Sequence, residues 1–254
     1  MVSKKTKYFS ICFILILWGC AAEHQNIVVD DWENFSQDIA EVEYIFTIDE
    51  NTKGKLYLYK FSNNDFLLEL KYSDPPKWIF QWYRDLGEPS LVVNGFYFHE
   101  DLSPSGFFIS EGTRIGQLEF DQDKTGLINF DSKLEILDTS QQAIDLNSFS
   151  TAAQSYPFLV KNGQASVTED SGLLARRSFI GLDIYNNVYI GVVPKHKISL
   201  YKLSHVLIET GLPWSEVMNL DGGPSTGIAI NKNEEMDYFN NFTPVPNVIV
   251  VKER

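Results

Sequence analysis

Short runs of alternating apolar and polar residues, separated by turn residues, constrain the fold of this chain more than any other feature. The first run, Val42 to Ile48, places an apolar side chain at every second position. That period of two is typical of a β-strand with one buried face. Similar runs at 56–61 and 66–72 are separated by polar turns, and we expect the three to form a meander. Leu58 lies in a run where both alternating sets are apolar or aromatic, which predicts a strand covered on both faces.

Two segments carry helical periodicity instead. Asp74-Pro75-Pro76 predicts a helix start, and an apolar stripe follows it up to Gly87. Ser199 predicts the N-cap of a second helix, which we expect to end at Gly211. The sequence therefore predicts an α+β fold in a single domain at 41–254. Its core would be a mostly antiparallel or mixed β-sheet, with two or three packed helices.

The N-terminus predicts export. Three lysines precede an apolar run in residues 1–19, and Cys20 follows Gly19 directly. This pattern resembles the lipobox of bacterial lipoproteins, which implies a signal peptide at 1–19 and a lipidated Cys20 on a tether at 20–40. Alternatives are a plain signal peptide or a membrane anchor, although the apolar run is shorter than the about 20 residues that span a bilayer. Ala21 and Ala22 are similar to residues that sort lipoproteins to the outer membrane, so we expect an exported, membrane-anchored protein.

Charge and cysteine content narrow the possible partners. The formal net charge is −13, and loss of the three signal lysines would make it more negative still. Such a surface repels phosphate backbones, so we expect no nucleic-acid partner. The chain has two cysteines, Cys12 and Cys20. The first would leave with the signal and the second would carry lipid, so the predicted mature fold has no disulfide.

The stretch from Asn219 to Gly227 is the principal candidate for chemistry. It reads Asn-Leu-Asp-Gly-Gly-Pro-Ser-Thr-Gly and lies between two apolar runs, so we expect a strand, a tight polar loop and a strand. Glycines let a ligand approach the backbone N–H groups closely, and successive N–H groups can bind an anion. Asp221 would lie at the mouth of this loop as an acid, base or nucleophile. An ordinary turn has the same composition.

Two other polar clusters lie at the ends of predicted strands, one directly after a strand and one directly before a strand. Asn94-Gly95 comes directly after the apolar run Leu91–Val93, and the next apolar run does not begin at hairpin distance. Arg176 and Arg177 precede the run that starts at Phe179. Paired arginines in an acidic protein are usually surface charges, but they are also suited to gripping a phosphate through a planar fork.

Four segments together resemble the phosphodiester glycosidase family, in the family's order and at about its spacing. They are Val92–Phe98, Pro157–Gly163, Arg176–Asp183 and Asn219–Thr226. The resemblance covers about residues 70 to 251. The family includes a lysosomal enzyme that removes N-acetylglucosamine from a mannose phosphodiester.

The resemblance implies hydrolysis of a sugar-1-phosphodiester, giving free sugar and a phosphomonoester, and the lipobox pattern would place this reaction at the cell envelope. Asp221 would act at the anomeric carbon, as a nucleophile or as a general base to water. Arg177 would neutralise the departing phosphate. No cofactor and no metal is implied. The expected substrate contacts are Asn94, Gly95, Asn219, Gly222, Gly223, Ser225, Thr226 and Asp183.

Departures from the family pattern leave two other functions open. Pro224 replaces the third glycine of the family's loop and removes one N–H donor, while Ser178 stands where the family often has threonine. A non-catalytic envelope lipoprotein that binds glycans or sugar phosphates is therefore an alternative. A metal-dependent phosphodiesterase using Asp221 and Asp183 is another.

Overall fold

Strands form most of the fold. The computed structural model describes residues 32–34, 38–115 and 124–254. Within these ranges lie two α-helices, α1 (Ile79–Asp85) and α2 (Leu200–Glu209). The strands are β1 (Glu33–Asn34), β2 (Ala40–Thr47), β3 (Lys53–Ser62), β4 (Phe66–Lys77), β5 (Leu91–Asn94), β6 (Phe108–Ser110), β7 (Thr113–Arg114), β8 (Gly126–Asn129), β9 (Glu135–Asp138), β10 (Ala152–Ser155), β11 (Phe158–Lys161), β12 (Gln164–Ala165), β13 (Ala175–Asp183), β14 (Asn187–Ile198), β15 (Trp214–Asn219), β16 (Ile228–Lys232), β17 (Glu235–Phe239) and β18 (Val245–Glu253).

These strands form three sheets. An eight-stranded sheet has the order β1-β2-β3-β14-β13-β15-β11-β12, a second sheet β17-β16-β5-β18-β4, and a third β7-β6-β10-β8-β9. The strand pairs of the described residues are antiparallel. The predicted antiparallel core is confirmed, but with two short α-helices the fold is β-rich rather than a balanced α+β fold.

The core lies between the sheets, and the helices cover their outer faces. Tyr59 of β3 and Val93 of β5 point into one central cluster. Leu58 of β3 points to the other side, where it packs in a cluster with α2. Val92 of β5 likewise packs in a cluster with α1. Both strands are therefore buried on two faces, which explains their nearly continuous apolar sequence.

Helix α2 is confirmed and the start of α1 was predicted wrongly. The Ser199 hydroxyl accepts from the Lys202 N–H at 3.2 Å, and Gly211 has φ +70° after the last turn. The Asp74-Pro75-Pro76 stretch instead belongs to the end of β4, and α1 begins after Trp78. Proline in an edge strand costs no ladder hydrogen bond when its nitrogen faces away from the partner, so the same residues suit both structures. β4 is an edge strand of its sheet.

The predicted meander breaks at its third strand. β2 pairs with β3, but β4 pairs with β18 in a different sheet. The second edge of β3 pairs with β14 instead. The turn at 63–65 therefore carries the chain between sheets, with Phe61 and Phe66 in contact across it at a ring separation of 5.1 Å.

The predicted signal peptide and Cys20 lie outside the described residues. Of the predicted tether, β1 pairs with β2 and Ile39 is fully buried. In the ranges that the structure describes, no helix is long and apolar enough to cross a membrane.

Asp183 anchors the hairpin between β13 and β14. Its Oδ1 accepts from the backbone N–H groups of Tyr185 and Asn187 at 2.9 and 2.8 Å. Its Oδ2 accepts from Asn187 Nδ2 at 2.8 Å and from the Tyr189 hydroxyl at 2.9 Å. Asp183 is 4% exposed, so these four donors replace water at a buried carboxylate.

We expect Asp183→Ala to lower the free energy of unfolding by about 3 kcal/mol, because it leaves buried donors without an acceptor. Urea unfolding of the two proteins measures this change. Asp237→Ala, at an exposed carboxylate of β17, is the matched control. A loss of stability no larger than that of the control would contradict a structural role for Asp183.

Candidate active site

The Asn219–Gly227 stretch is the point where the chain passes from one sheet to another. β15 of the eight-stranded sheet ends at Asn219, and β16 of the five-stranded sheet begins at Ile228. Between them Gly223–Ser225 form one turn of 3-10 helix. The predicted order of strand, tight loop and strand is therefore confirmed, and the loop connects the eight-stranded sheet to the sheet β17-β16-β5-β18-β4.

Asn94, at the end of β5, holds this crossing in place. Its Nδ2 donates to the Asp221 carbonyl at 2.7 Å, and its Oδ1 accepts from the Ser178 hydroxyl at 2.6 Å and from the Gly227 N–H at 3.2 Å. Its own N–H donates to the Gly227 carbonyl at 3.1 Å. Asn94 is fully buried, and its bonds to Ser178 and to the Gly227 N–H are buried as well, so they are shielded from water. Ser178 supplies the hydroxyl that this network uses, so the serine keeps the polar function of a threonine.

The Asp221 carboxyl is a weaker acid in this site than it would be in water. Burial raises the pKa of the carboxyl to about 6, against the lowering effect of hydrogen bonds from the Ser225 hydroxyl and the Gly222 N–H. The Gly222 N–H lies 2.8 Å from Oδ1. The Asp221 N–H donates to the Gly95 carbonyl at 3.0 Å. The backbone is thus fixed on both sides, and the carboxyl titrates near neutral pH, as an acid–base catalyst requires.

Arg177 lies beside the loop as a buried cation that has no carboxylate partner among the residues that the structure describes. It is 8% exposed. Nε donates to the Ile198 carbonyl at 3.1 Å and Nη2 to the Leu173 carbonyl at 2.9 Å, whereas Nη1 has no hydrogen-bond partner in the described part of the chain. A Cβ placed on Gly222 would lie 3.7 Å from Nη1, so this nitrogen faces the loop. Burial lowers the pKa of the guanidinium from its ordinary value.

Arg176 binds the same loop through two backbone carbonyls. It is 6% exposed, and it donates from Nε to the Gly223 carbonyl at 2.9 Å and from Nη2 to the Pro224 carbonyl at 3.0 Å. Its guanidinium carbon lies 3.7 Å from the centre of the Phe242 ring. Neither arginine forms an ion pair with a carboxylate of the described residues, which leaves two buried positive charges without a counter-ion in an acidic protein. An anionic ligand would offset that cost.

The two loop glycines occupy positions where a larger residue would be strained or would clash. Gly223 has φ +60°, a backbone conformation that other residues adopt only with strain. A Cβ on Gly222 would lie 2.8 Å from the Arg176 carbonyl oxygen. Pro224 occupies the first turn of the 3-10 helix, where an N–H would have no partner within the helix. The proline therefore fits the local structure, and the Gly222 and Gly223 N–H groups remain in the loop.

Two buried oxygens in this region have no hydrogen-bond partner among the described residues. They are Asn219 Oδ1 and Thr226 Oγ1, and both residues are fully buried. Buried polar atoms are nearly always satisfied in folded proteins, so each requires a water or a ligand. Asn219 and Thr226 were both predicted substrate contacts.

Tyr97 belongs to this cluster, although sequence reasoning did not single it out. Its hydroxyl accepts from Asn219 Nδ2 and donates to the Tyr156 carbonyl at 3.2 Å. Burial, followed by the nearby charge of Asp221, raises its pKa well above the ordinary value, with Arg177 acting in the opposite direction. Tyr97 is therefore a neutral phenol at physiological pH. Its position directly after the Asn94-Gly95-Phe96 motif was the available signal.

The structure thus brings together all the predicted catalytic and substrate-binding residues except Asp183. Asp221, Arg177, Asn94 and their neighbours meet at the start of β13 and the end of β15, where Phe179 pairs with Asn219. Asp183 lies at the other end of β13, where it pairs with Trp214. Its predicted contact with substrate is not supported by that placement, and it does not form a two-aspartate metal site with Asp221. Among the described residues no group of three or more His, Cys, Asp or Glu could hold a metal ion.

Comparison with known proteins identifies the family. The family model for phosphodiester glycosidase matches residues 88–252, which is more than half of the chain. The chain belongs to the phosphodiester glycosidase family. All the site residues described above, from Asn94 to Thr226, lie within the matched range. No curated protein sequence matches this chain.

The solved structures that share the fold of this chain include the following two. One is the catalytic domain of a zebrafish N-acetylglucosamine-1-phosphodiester alpha-N-acetylglucosaminidase, auto-inhibited by its pro-peptide. It is 13% identical, with a TM-score of 0.65, over 86% of this chain and 85% of that one. The other is a hypothetical protein from Synechocystis, 14% identical with a TM-score of 0.62, over 88% of this chain and 63% of that one.

The raised pKa of Asp221 predicts a stability change with pH. The folded-state pKa of about 6 exceeds the ordinary value of 3.8, so the folded protein binds this proton more tightly than the unfolded chain. The stability linked to this group is fully present below the ordinary pKa and is lost as pH rises through 6. Asp221→Asn cannot ionise, so it should gain up to about 3 kcal/mol over wild type between pH 4 and pH 7.

Urea unfolding at the two pH values measures this difference, with Asp237→Asn as the control at an exposed acid. A stability difference between Asp221→Asn and wild type that stays constant from pH 4 to pH 7 would contradict the raised pKa.

Proposed function

We propose that this protein hydrolyses the bond between a sugar's anomeric carbon and the phosphate of a phosphodiester, at the cell envelope. The products are the free sugar and a phosphomonoester. The observation that supports the proposal most directly is that one loop carries Asp221, whose carboxyl pKa burial raises to about 6, and borders Arg177 at Gly222. Arg177 is a buried cation with carbonyl partners and no carboxylate partner among the described residues. Family membership supports the hydrolase class.

The charges of the site match those of this reaction. A phosphodiester carries one negative charge and its phosphomonoester product carries nearly two at neutral pH. A fixed cation beside the leaving oxygen therefore stabilises the charge that develops during bond cleavage more than it stabilises the bound substrate. Such a difference is the condition for transition-state stabilisation. Arg177 Nη1 is the group available for this contact, and it faces Gly222 of the loop that carries Asp221.

Asp221 would act at the anomeric carbon. Either its carboxylate attacks that carbon and water hydrolyses the resulting ester, or it removes a proton from the water that attacks directly. In both routes the carbon–oxygen bond breaks, and its electron pair leaves with the phosphate oxygen. The pKa near 6 leaves most of the carboxyl ionised at pH 7, as both routes require. Phosphate is a good leaving group, so a second carboxyl acting as acid is not needed.

A panel of sugar-1-phosphodiesters tests the activity. The panel should vary the sugar, and free sugar and phosphomonoester should be measured separately. We expect both products in equal amounts from at least one member, and a loss of about a thousandfold or more in kcat for Asp221→Asn. Asp237→Asn is the matched control and should keep the wild-type rate.

Two outcomes would overturn this assignment. Near-normal hydrolysis by Asp221→Asn would remove the carboxyl from the chemistry. Tight binding of a panel member without turnover by the folded wild-type protein would instead indicate a binding lipoprotein, and reversion of Pro224 to glycine would then be the first change to make.

Arg177 gives a second prediction. Arg177→Met removes the cation, and we expect kcat to fall by about 10² to 10³ with retention of the fold. Arg177→Lys should recover only part of that loss, because an ammonium lacks the planar fork. The product phosphomonoester should inhibit the wild type and lose most of that inhibition in Arg177→Met. Arg84→Met, at an exposed arginine of α1, is the control. Unchanged kcat and unchanged product inhibition in Arg177→Met would exclude Arg177 from phosphate binding.

A further inference from the structure

The two sides of the candidate active site differ in chemistry. On one side lie two hydrogen-bonding groups, the Tyr97 hydroxyl and Asn219 Oδ1, which has no hydrogen-bond partner among the described residues, together with the half-exposed ring of Tyr156. The Tyr156 ring packs on Tyr97 with a centroid separation of 4.9 Å. Hydroxyl-binding groups next to an aromatic face suit a sugar ring. Asn219 also begins the loop that carries Asp221, so this side adjoins the Asp221 carboxyl.

The other side carries exposed apolar residues, which we call the apolar rim: Leu173, Leu174 and Phe242. Their exposed fractions are 71%, 59% and 74%. Leu173 lies against Arg177, whose Nη2 donates to its carbonyl at 2.9 Å. Phe242 lies over Arg176, and its N–H donates to the Pro224 carbonyl at 2.7 Å. The apolar rim therefore borders the arginines and the glycine loop directly.

The backbone under the apolar rim is fixed by hydrogen bonds. Asn241, 1% exposed, accepts from the Ile79 N–H at the start of α1 at 3.1 Å and donates to the Thr243 carbonyl at 2.6 Å. On the other segment the Gly172 N–H donates to Asp170 Oδ1 at 3.0 Å. Exposed apolar side chains on a fixed backbone beside a charged site are typical of a ligand contact rather than of a loose surface loop.

We infer that the substrate of this site is a phosphodiester whose aglycone is a hydrocarbon chain, as in a lipid-linked sugar phosphate. This inference rests on the proposed function. The phosphate would lie at Arg177, the sugar on the Tyr97 and Asn219 side, and the first part of the chain on the apolar rim. Charge complementarity supports this occupant, because a buried cation beside exposed apolar groups matches an anion with an attached hydrocarbon.

Two substrates with the same sugar and phosphate test the inference. One carries a methyl aglycone and the other an octyl aglycone, used below its micelle concentration so that no lipid surface is present. We expect kcat/KM for the octyl compound to exceed that for the methyl compound by on the order of tenfold, the scale of a few methylenes on an open apolar surface. The ratio should fall toward one in Leu173→Ser/Phe242→Ser.

The control and the conservative variant separate the apolar rim from general surface effects. Ile184→Ser changes an apolar residue that is 65% exposed at the far end of β13, and it should keep the wild-type ratio. Phe242→Leu should keep most of the octyl preference, since it keeps an apolar side chain. An octyl preference that survives in Leu173→Ser/Phe242→Ser, or that is absent from the wild type, would overturn the inference.

Binding to the Asp221→Asn protein distinguishes failure of the inference from failure of the proposed function. Calorimetric titration with the same two compounds requires no turnover. If the wild type hydrolyses neither compound but the octyl one binds about tenfold more tightly, and only with the apolar rim intact, the hydrolase proposal fails and the rim assignment stands. If both compounds are hydrolysed and bound equally well, the hydrolase proposal stands and the rim assignment fails.

Discussion

The Asn94 side chain is the interaction on which the site depends, because one buried amide joins three segments from two sheets. It binds the Asp221 carbonyl of the crossing loop, the Ser178 hydroxyl of β13 and the Gly227 N–H at the start of β16. An amide has both donors and an acceptor, and a carboxylate in its place could not donate to a carbonyl. The position of the Asp221 backbone, and with it of the carboxyl, thus depends on this side chain.

Burial shifts the pKa of both central groups, Asp221 and Arg177, in the direction that disfavours their charged forms. It raises the pKa of the Asp221 carboxyl to about 6, and it encloses an Arg177 guanidinium that has carbonyl partners but no carboxylate partner in the described part of the chain. Both effects cost folding free energy, since each disfavours a charge in the unliganded protein. A bound phosphodiester would offset part of this cost. Functional sites are commonly places where stability is lower than the fold would otherwise permit.

The sequence predicted both ends of α2, the strand periodicity and the strand–loop–strand order of the Asn219–Gly227 stretch, because local patterns carry that information. Ser199, Gly211 and the Asn219–Gly227 loop are examples. Sequence reasoning failed where the structure depends on contacts between residues that are far apart in the chain. The partner of β4 is β18, and nothing within residues 62–77 specifies a strand near the other end of the chain. Asp183 was placed in the site because it ends the arginine motif, but an extended strand carries it to the opposite end of β13. Tyr97 was missed because its partner Tyr156 is 59 residues away.

The position of bond cleavage tests the central claim most directly. Hydrolysis of a sugar-1-phosphodiester in water enriched in oxygen-18 places the label in one of the two products. Attack at the anomeric carbon by Asp221 or by water puts the label in the sugar hydroxyl, and mass spectrometry of the two products should find it there and not in the phosphate. Label in the phosphomonoester would mean that the phosphorus–oxygen bond breaks, and the protein would then be a phosphodiesterase rather than a glycosidase.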